Sequence, residues 1–170
     1  MGIFHSLKGA IVTGAKNVLL SKLVRKHPVI VKDIESNLLL GKHVLITGGN
    51  SGIGYAIAKK MLESGATVTI LGRSKEKTER AAKELGCSYL IEDVSLTQHL
   101  ISDLLVFLKE HNVDILVNSA GVLDKEPWLE KTPEGFDKVM NTNLKAVYFL
   151  CQTLANDMIK KNIKGHILNI

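Results

Sequence analysis

The chain has 170 residues, 45% hydrophobic and 23% charged, a composition that excludes disordered and collagen-like classes and suits an ordinary folded domain. Its net charge of +5 is uneven: residues 1–40 hold six Lys/Arg against two acids, and residues 41–170 hold sixteen against fifteen. The near-neutral body carries no electrostatic footprint for nucleic acid, and no uncharged apolar run approaches the ~18 residues that read as a membrane span.

Residues 1–40 form a basic extension ahead of the first strand. Phe4, Leu7, Ile11, Ala15, Val18 and Leu19 recur at three- and four-residue steps among Lys8, Lys16, Lys22, Arg25 and Lys26. One reading is a partly helical segment whose residues 1–30 make weak contact with a membrane surface. The other is an extension packed on its own domain or on a neighbouring subunit. Gly9 and Gly14 weaken any helix and favour the second.

From residue 41 onward strand and helix alternate. Val44–Thr47 reads as the first strand and about 53–64 as the first helix, followed by a β-branched strand over Thr67–Leu71. A helix over Lys75–Leu85 stops at Gly86, and Tyr89–Ile91 is a short third strand. The helix over Leu96–His111 places Leu100, Leu104, Leu105 and Leu108 on one side. Asp114–Asn118 is almost continuously apolar, as expected of a strand covered on both faces. Thr132-Pro133-Glu134 combines a hydroxyl N-cap, a first-turn proline and an acid. It starts a helix expected to run to about Lys161, with Phe136, Met140, Val147, Cys151, Leu154 and Met158 as its apolar face. Gly165–Ile170 opens a fifth strand. Five such β-then-α steps predict an α/β fold: a Rossmann-type, doubly wound parallel sheet, helices on both faces, cut off at the fifth strand.

The most informative segment lies between the first strand and first helix: Thr47-Gly48-Gly49-Asn50-Ser51-Gly52-Ile53-Gly54. Glycines between a strand and an amphipathic helix allow a tight turn and close approach of backbone to a pyrophosphate, which then rests on the helix N-terminus. The other reading is a tight turn without a ligand. The spacing, Thr-Gly, three residues, Gly, one residue, Gly, resembles the turn of the short-chain dehydrogenase/reductase family.

Three further segments agree in order. Gly72-Arg73-Ser74 follows the second strand, where the adenosine ribose of a dinucleotide sits. An acid there binds a free 2′-hydroxyl, whereas Arg accommodates a 2′-phosphate, so Arg73 and Ser74 favour NADP over NAD; otherwise Arg73 is an exposed loop residue. Asp93-Val94 after the third strand resembles the family position where Asp binds the adenine amine, although such an Asp could equally cap a helix. Asn118-Ser119-Ala120-Gly121 resembles the family's Asn-Asn-Ala-Gly, departing at Ser119, with Ala120 and Gly121 leaving room for the cofactor ribose.

Asn143 falls within the expected apolar stripe of the long helix, where a polar amide needs partners or a task. The resemblance implies that it bends the helix and holds a water in the proton relay to a catalytic Lys. It is the one candidate catalytic residue.

The resemblance covers residues 43–170 and implies an NADP(H)-dependent oxidoreductase interconverting a carbonyl and a secondary alcohol of a small molecule, as a homo-oligomer. It also implies a catalytic Ser shortly after Asn169 and a Tyr-x-x-x-Lys pair beyond. Neither falls within the 170 residues, and the residue four after Tyr148 is Gln152. The chain thus corresponds to the front two-thirds of such an enzyme, carrying the cofactor contacts without the acid/base machinery. Poor stability in isolation and an open fifth-strand edge are expected. A non-catalytic nucleotide-binding or sensor module is the alternative. Cys87 and Cys151 have neither CxxC nor metal-type spacing and read as reduced thiols of a cytoplasmic protein, and no histidine is spaced to join another as a metal ligand.

Overall fold

The structure, a computed structural model, describes residues 37–170. The proposed amphipathic helix and membrane contact of the leader lie outside the described residues, apart from a turn over 37–41. There Leu39 packs against the core and its amide donates to the Ser64 carbonyl at 2.9 Å.

Five strands form one parallel sheet: β1 (His43–Thr47), β2 (Thr67–Gly72), β3 (Ser88–Ile91), β4 (Ile115–Asn118) and β5 (His166–Asn169), in the spatial order β3-β2-β1-β4-β5. Helices α1 (Gly52–Glu63), α2 (Lys75–Leu85) and α3 (Thr97–Glu110) fill the first three crossovers. The order reverses between β1 and β4. In an open parallel sheet that reversal leaves a crevice beyond the carboxyl ends of the strands.

Successive side chains of a strand point to opposite faces, and the apolar residues of β1 and β4 serve two cores. Leu45 and Leu116 pack with Leu100, Leu104 and Leu108 of α3 and with Leu150 and Leu154 on one face. Val44, Ile46 and Val117 pack with Ala58 of α1 and Ala81 and Ala82 of α2 on the other. Burying each of the three α3 leucines stabilises the fold by about 2 kcal/mol relative to exposure. Leu105, expected on this face, is instead 49% exposed, because the stripe continues through Leu104 and Leu108.

The buried face of the long helix also departs from expectation. It consists of α4 (Pro133–Met140), a π-helical turn (Asn141–Lys145) and α5 (Ala146–Lys160). Thr132 caps α4 as anticipated, its Oγ1 accepting from the Gly135 amide at 3.0 Å. A π turn uses more residues than an α turn and shifts the phase of everything after it. The buried positions of α5 are therefore Ala146, Leu150, Leu154 and Met158, while Val147 and Cys151 lie at the margin. Phe136, ahead of the turn, is 53% exposed. β5 pairs only with β4 among the described strands, and all four of its residues are exposed.

Candidate functional site

A cleft of about 550 Å³ opens at the carboxyl end of the sheet, bounded by the segments that follow β1, β2, β3 and β4. The turn after β1 forms one wall. Gly48, at φ +68°, lies so near the start of the loop after β4 that a Cβ on it would sit 2.9 Å from the Ala120 Cα and N. A Cβ on Gly54 would lie 2.4 Å from the Gly48 carbonyl oxygen. Both positions require glycine, one for conformation and contact and the other for the close packing of α1 on the turn.

At the start of α1 the Ser51 side chain makes no capping bond, and the first turn holds no acid. Its orphan N–H groups and positive dipole end therefore remain available to an anion at the cleft. The contrast with the side-chain-capped start of α4 is direct.

Arg73 and Ser74 follow the end of β2 and line the cleft together with Lys77, one turn into α2. Gly72 is the last residue of that strand, and no carboxylate occupies its end. Glu92, Asp93 and Val94 supply the next segment. The Asp93 carboxylate accepts from the Ser95 amide at 2.9 Å and hydroxyl at 2.7 Å, forming an Asx turn, while α3 begins only at Thr97. Burial pushes the Glu92 carboxyl above its ordinary range, with the adjacent Asp103 acting in the same direction and His99 against it. His99 Nδ1 stands 3.4 Å from Glu92 and 3.1 Å from Asp103, so this histidine, unpaired by spacing, meets two carboxylates in the fold.

The segment after β4 closes the site. Thr47 Oγ1 accepts from the amides of both Ser119 and Ala120, at 3.1 Å each, and Thr47 itself is 1% exposed. Thr47 thus shapes the cleft from behind. Asn118 is buried, its Nδ2 donating to Asn169 Oδ1 at 2.8 Å, whereas its Oδ1 has no partner. It ties β4 to β5 beneath the cleft floor formed by Ser119, Ala120 and Gly121.

Asn143 requires a correction. It is exposed rather than set in the apolar stripe, because it occupies the centre of the π turn. Its side chain donates to the Val122 carbonyl and accepts from the Val122 amide, each at 2.9 Å, pinning the loop after β4 to the bend in the helix.

Of the residues singled out in the sequence, Gly48, Asn50, Ser51, Ile53, Gly54, Arg73, Ser74, Asp93, Val94, Ala120 and Gly121 line one cleft. Thr47, Asn118 and Asn143 support it from the second layer, and Gly52 is exposed without lining it. Leu71, Lys77, Glu92, Val122, Thr142 and Ile170, not singled out in the sequence, also line it. Helical spacing from Ser74 would have found Lys77; nothing local marks Thr142. A glycine cradle, unspent helix-end amides and cations beside the end of β2 together fit a dinucleotide.

Residues 42–170 match the family model described as short chain dehydrogenase. Among curated proteins, the chain is 36% identical over 142 residues to the 3-oxoacyl-[acyl-carrier-protein] reductase FabG of Chlamydia trachomatis, covering 79% of this chain and 57% of that one. It is 33% identical over 138 residues to gluconate 5-dehydrogenase of Gluconobacter oxydans, covering 78% and 54%. A metagenomic short-chain oxidoreductase solved in complex with NADP superposes with a TM-score of 0.71 at 33% identity, covering 77% of this chain and 62% of that chain. The chain spans little more than half the length of the curated relatives it matches. Motif, sheet order and similarity agree: the chain belongs to the short-chain dehydrogenase family of oxidoreductases.

Proposed function

We propose that this chain is the cofactor-binding part of an NADP(H)-dependent oxidoreductase that interconverts a carbonyl and a secondary alcohol on a small molecule. The observation that carries the reading is the pairing of Arg73 and Lys77 with an acid-free β2 end, in the same cleft as the uncapped start of α1. Two cations beside the ribose position favour a 2′-phosphate, and the α1 amides favour the pyrophosphate. Relatives bound to NADP support the choice.

The dinucleotide, when bound, supplies or accepts the hydride. The residues of this chain hold it: Asp93 and Val94 at the adenine end, the glycine turn at the phosphates, Ala120 and Gly121 at the ribose. Asn143 holds the helix bend and the Val122 loop, the position from which a relay water would be placed. Exposed Leu144, Tyr148 and Ile159 along the long helix suit its pairing with a second subunit. The two free cysteines are consistent with a reducing, cytoplasmic setting. No helix among the described residues is long and apolar enough to cross a membrane.

The test is carbonyl-dependent consumption of NADPH by the full-length protein, assayed across ketones and 3-oxoacyl thioesters. Turnover with NADPH well above that with NADH supports the reading. Tight NADPH binding without turnover on any carbonyl or alcohol would favour a nucleotide sensor instead.

A further inference from the structure

We propose that Thr78 is a positioning residue for the cofactor, acting through the side chain of Asn50. The inference rests on the dinucleotide reading above and adds a residue that does not itself line the cleft.

Thr78 lies in the first turns of α2, 0% exposed, on the helix that also buries Ala81 and Ala82. A hydroxyl in such surroundings is costly unless bonded. Its bond goes to the cleft: Asn50 Nδ2 donates to Thr78 Oγ1 at 2.9 Å. Asn50 belongs to the glycine turn and lines the cleft.

Gly72 permits the contact. A Cβ there would lie 2.5 Å from both Asn50 Nδ2 and Thr78 Oγ1. The last residue of β2 must therefore lack a side chain for the two to meet. Arg73 and Ser74 follow it at once, and Lys77 is the neighbour of Thr78. One part-buried hydrogen bond thus joins the helix that follows the loop placed to read the ribose end to the turn placed to cradle the pyrophosphate. Without it, the Asn50 amide loses its only side-chain partner among the described residues and the two walls are free to shift relative to one another.

The test uses NADPH titration of the full-length protein by fluorescence, with thermal melts alongside. Thr78→Val keeps the volume and removes the hydroxyl; Thr78→Ser keeps the hydroxyl and removes a methyl; Thr78→Ala lacks both. The Kd for NADPH is expected to rise roughly five- to tenfold in Thr78→Val and Thr78→Ala. Thr78→Ser should bind like the wild type even though its buried methyl is gone and it melts at a lower temperature. Should the valine variant fail to fold, the alanine and serine pair still isolates the hydroxyl. Wild-type affinity in Thr78→Ala, or an equal loss in Thr78→Ser, would overturn the inference and leave the dinucleotide reading standing. A folded wild type that binds neither NADPH nor NADH would overturn both.

Discussion

Asn143 and Val122 are joined by two hydrogen bonds, the side-chain amide of one closing on the backbone N–H and C=O of the other at 2.9 Å each. This couples the only π turn among the described helices to the loop that floors the cleft. Removing the amide in Asn143→Ala frees that loop. The expected result is a loss of about 1–2 kcal/mol in stability, from two partly exposed bonds. Denaturant unfolding of the variant against the wild type measures it, and an unchanged midpoint would show that the loop holds itself.

The second prediction concerns Thr47, whose single oxygen accepts from two amides in a buried setting. Thr47→Val preserves shape and leaves both N–H groups without this acceptor. It should cost about 2–3 kcal/mol. Thr47→Ser should cost under half as much, so a similar loss in both would assign the effect to packing.

Gly48→Ala places a Cβ against the Ala120 backbone at 2.9 Å and forces a non-glycine residue to φ +68°. Neither neighbour is a flexible side chain that can yield. The left-handed conformation alone costs about 1 kcal/mol, and the contact adds to it. Cofactor affinity should fall at least tenfold, read by calorimetry. Gly86→Ala, at the same φ but with open space around it, provides a control that melts lower without changing affinity.

Stability should also depend on pH through His43, at the opposite end of the sheet from the cleft. Burial holds its imidazole below the ordinary value of 6.5, helped by nearby His111 and opposed by the bond to the Asn112 carbonyl and by Asp114. With the folded value depressed, the unfolded chain takes up the proton first. The contribution is therefore whole above about pH 6.5 and is lost as pH falls from there through the lower folded value. Unfolding midpoints measured from pH 7.5 to pH 5 should fall with acid, and His43→Gln should flatten that slope.

Much of the cleft was legible because its determinants are local. The glycine turn, the β2 end at Gly72-Arg73-Ser74 and Asp93 each occupy consecutive residues between elements of strong pattern. The long helix misled for a physical reason. A stripe read at 3.6 residues per turn cannot anticipate a π turn, which leaves Val147 at the margin and Asn143 exposed. Long-range contacts were equally silent in the sequence. Thr78 is one polar residue in a charged helix until the fold brings it to Asn50, and His43 meets His111 across 68 positions of chain, with ring centroids 5.9 Å apart.

The most direct test of the account is calorimetric titration of the full-length protein with NADP(H) and NAD(H), wild type against Arg73→Ala. The cleft geometry predicts that NADP(H) binds at least tenfold more tightly than NAD(H) and that Arg73→Ala removes most of that preference while leaving NAD(H) affinity in place. Equal affinities for the two cofactors, or an Arg73→Ala variant that still prefers NADP(H) as strongly, would contradict it.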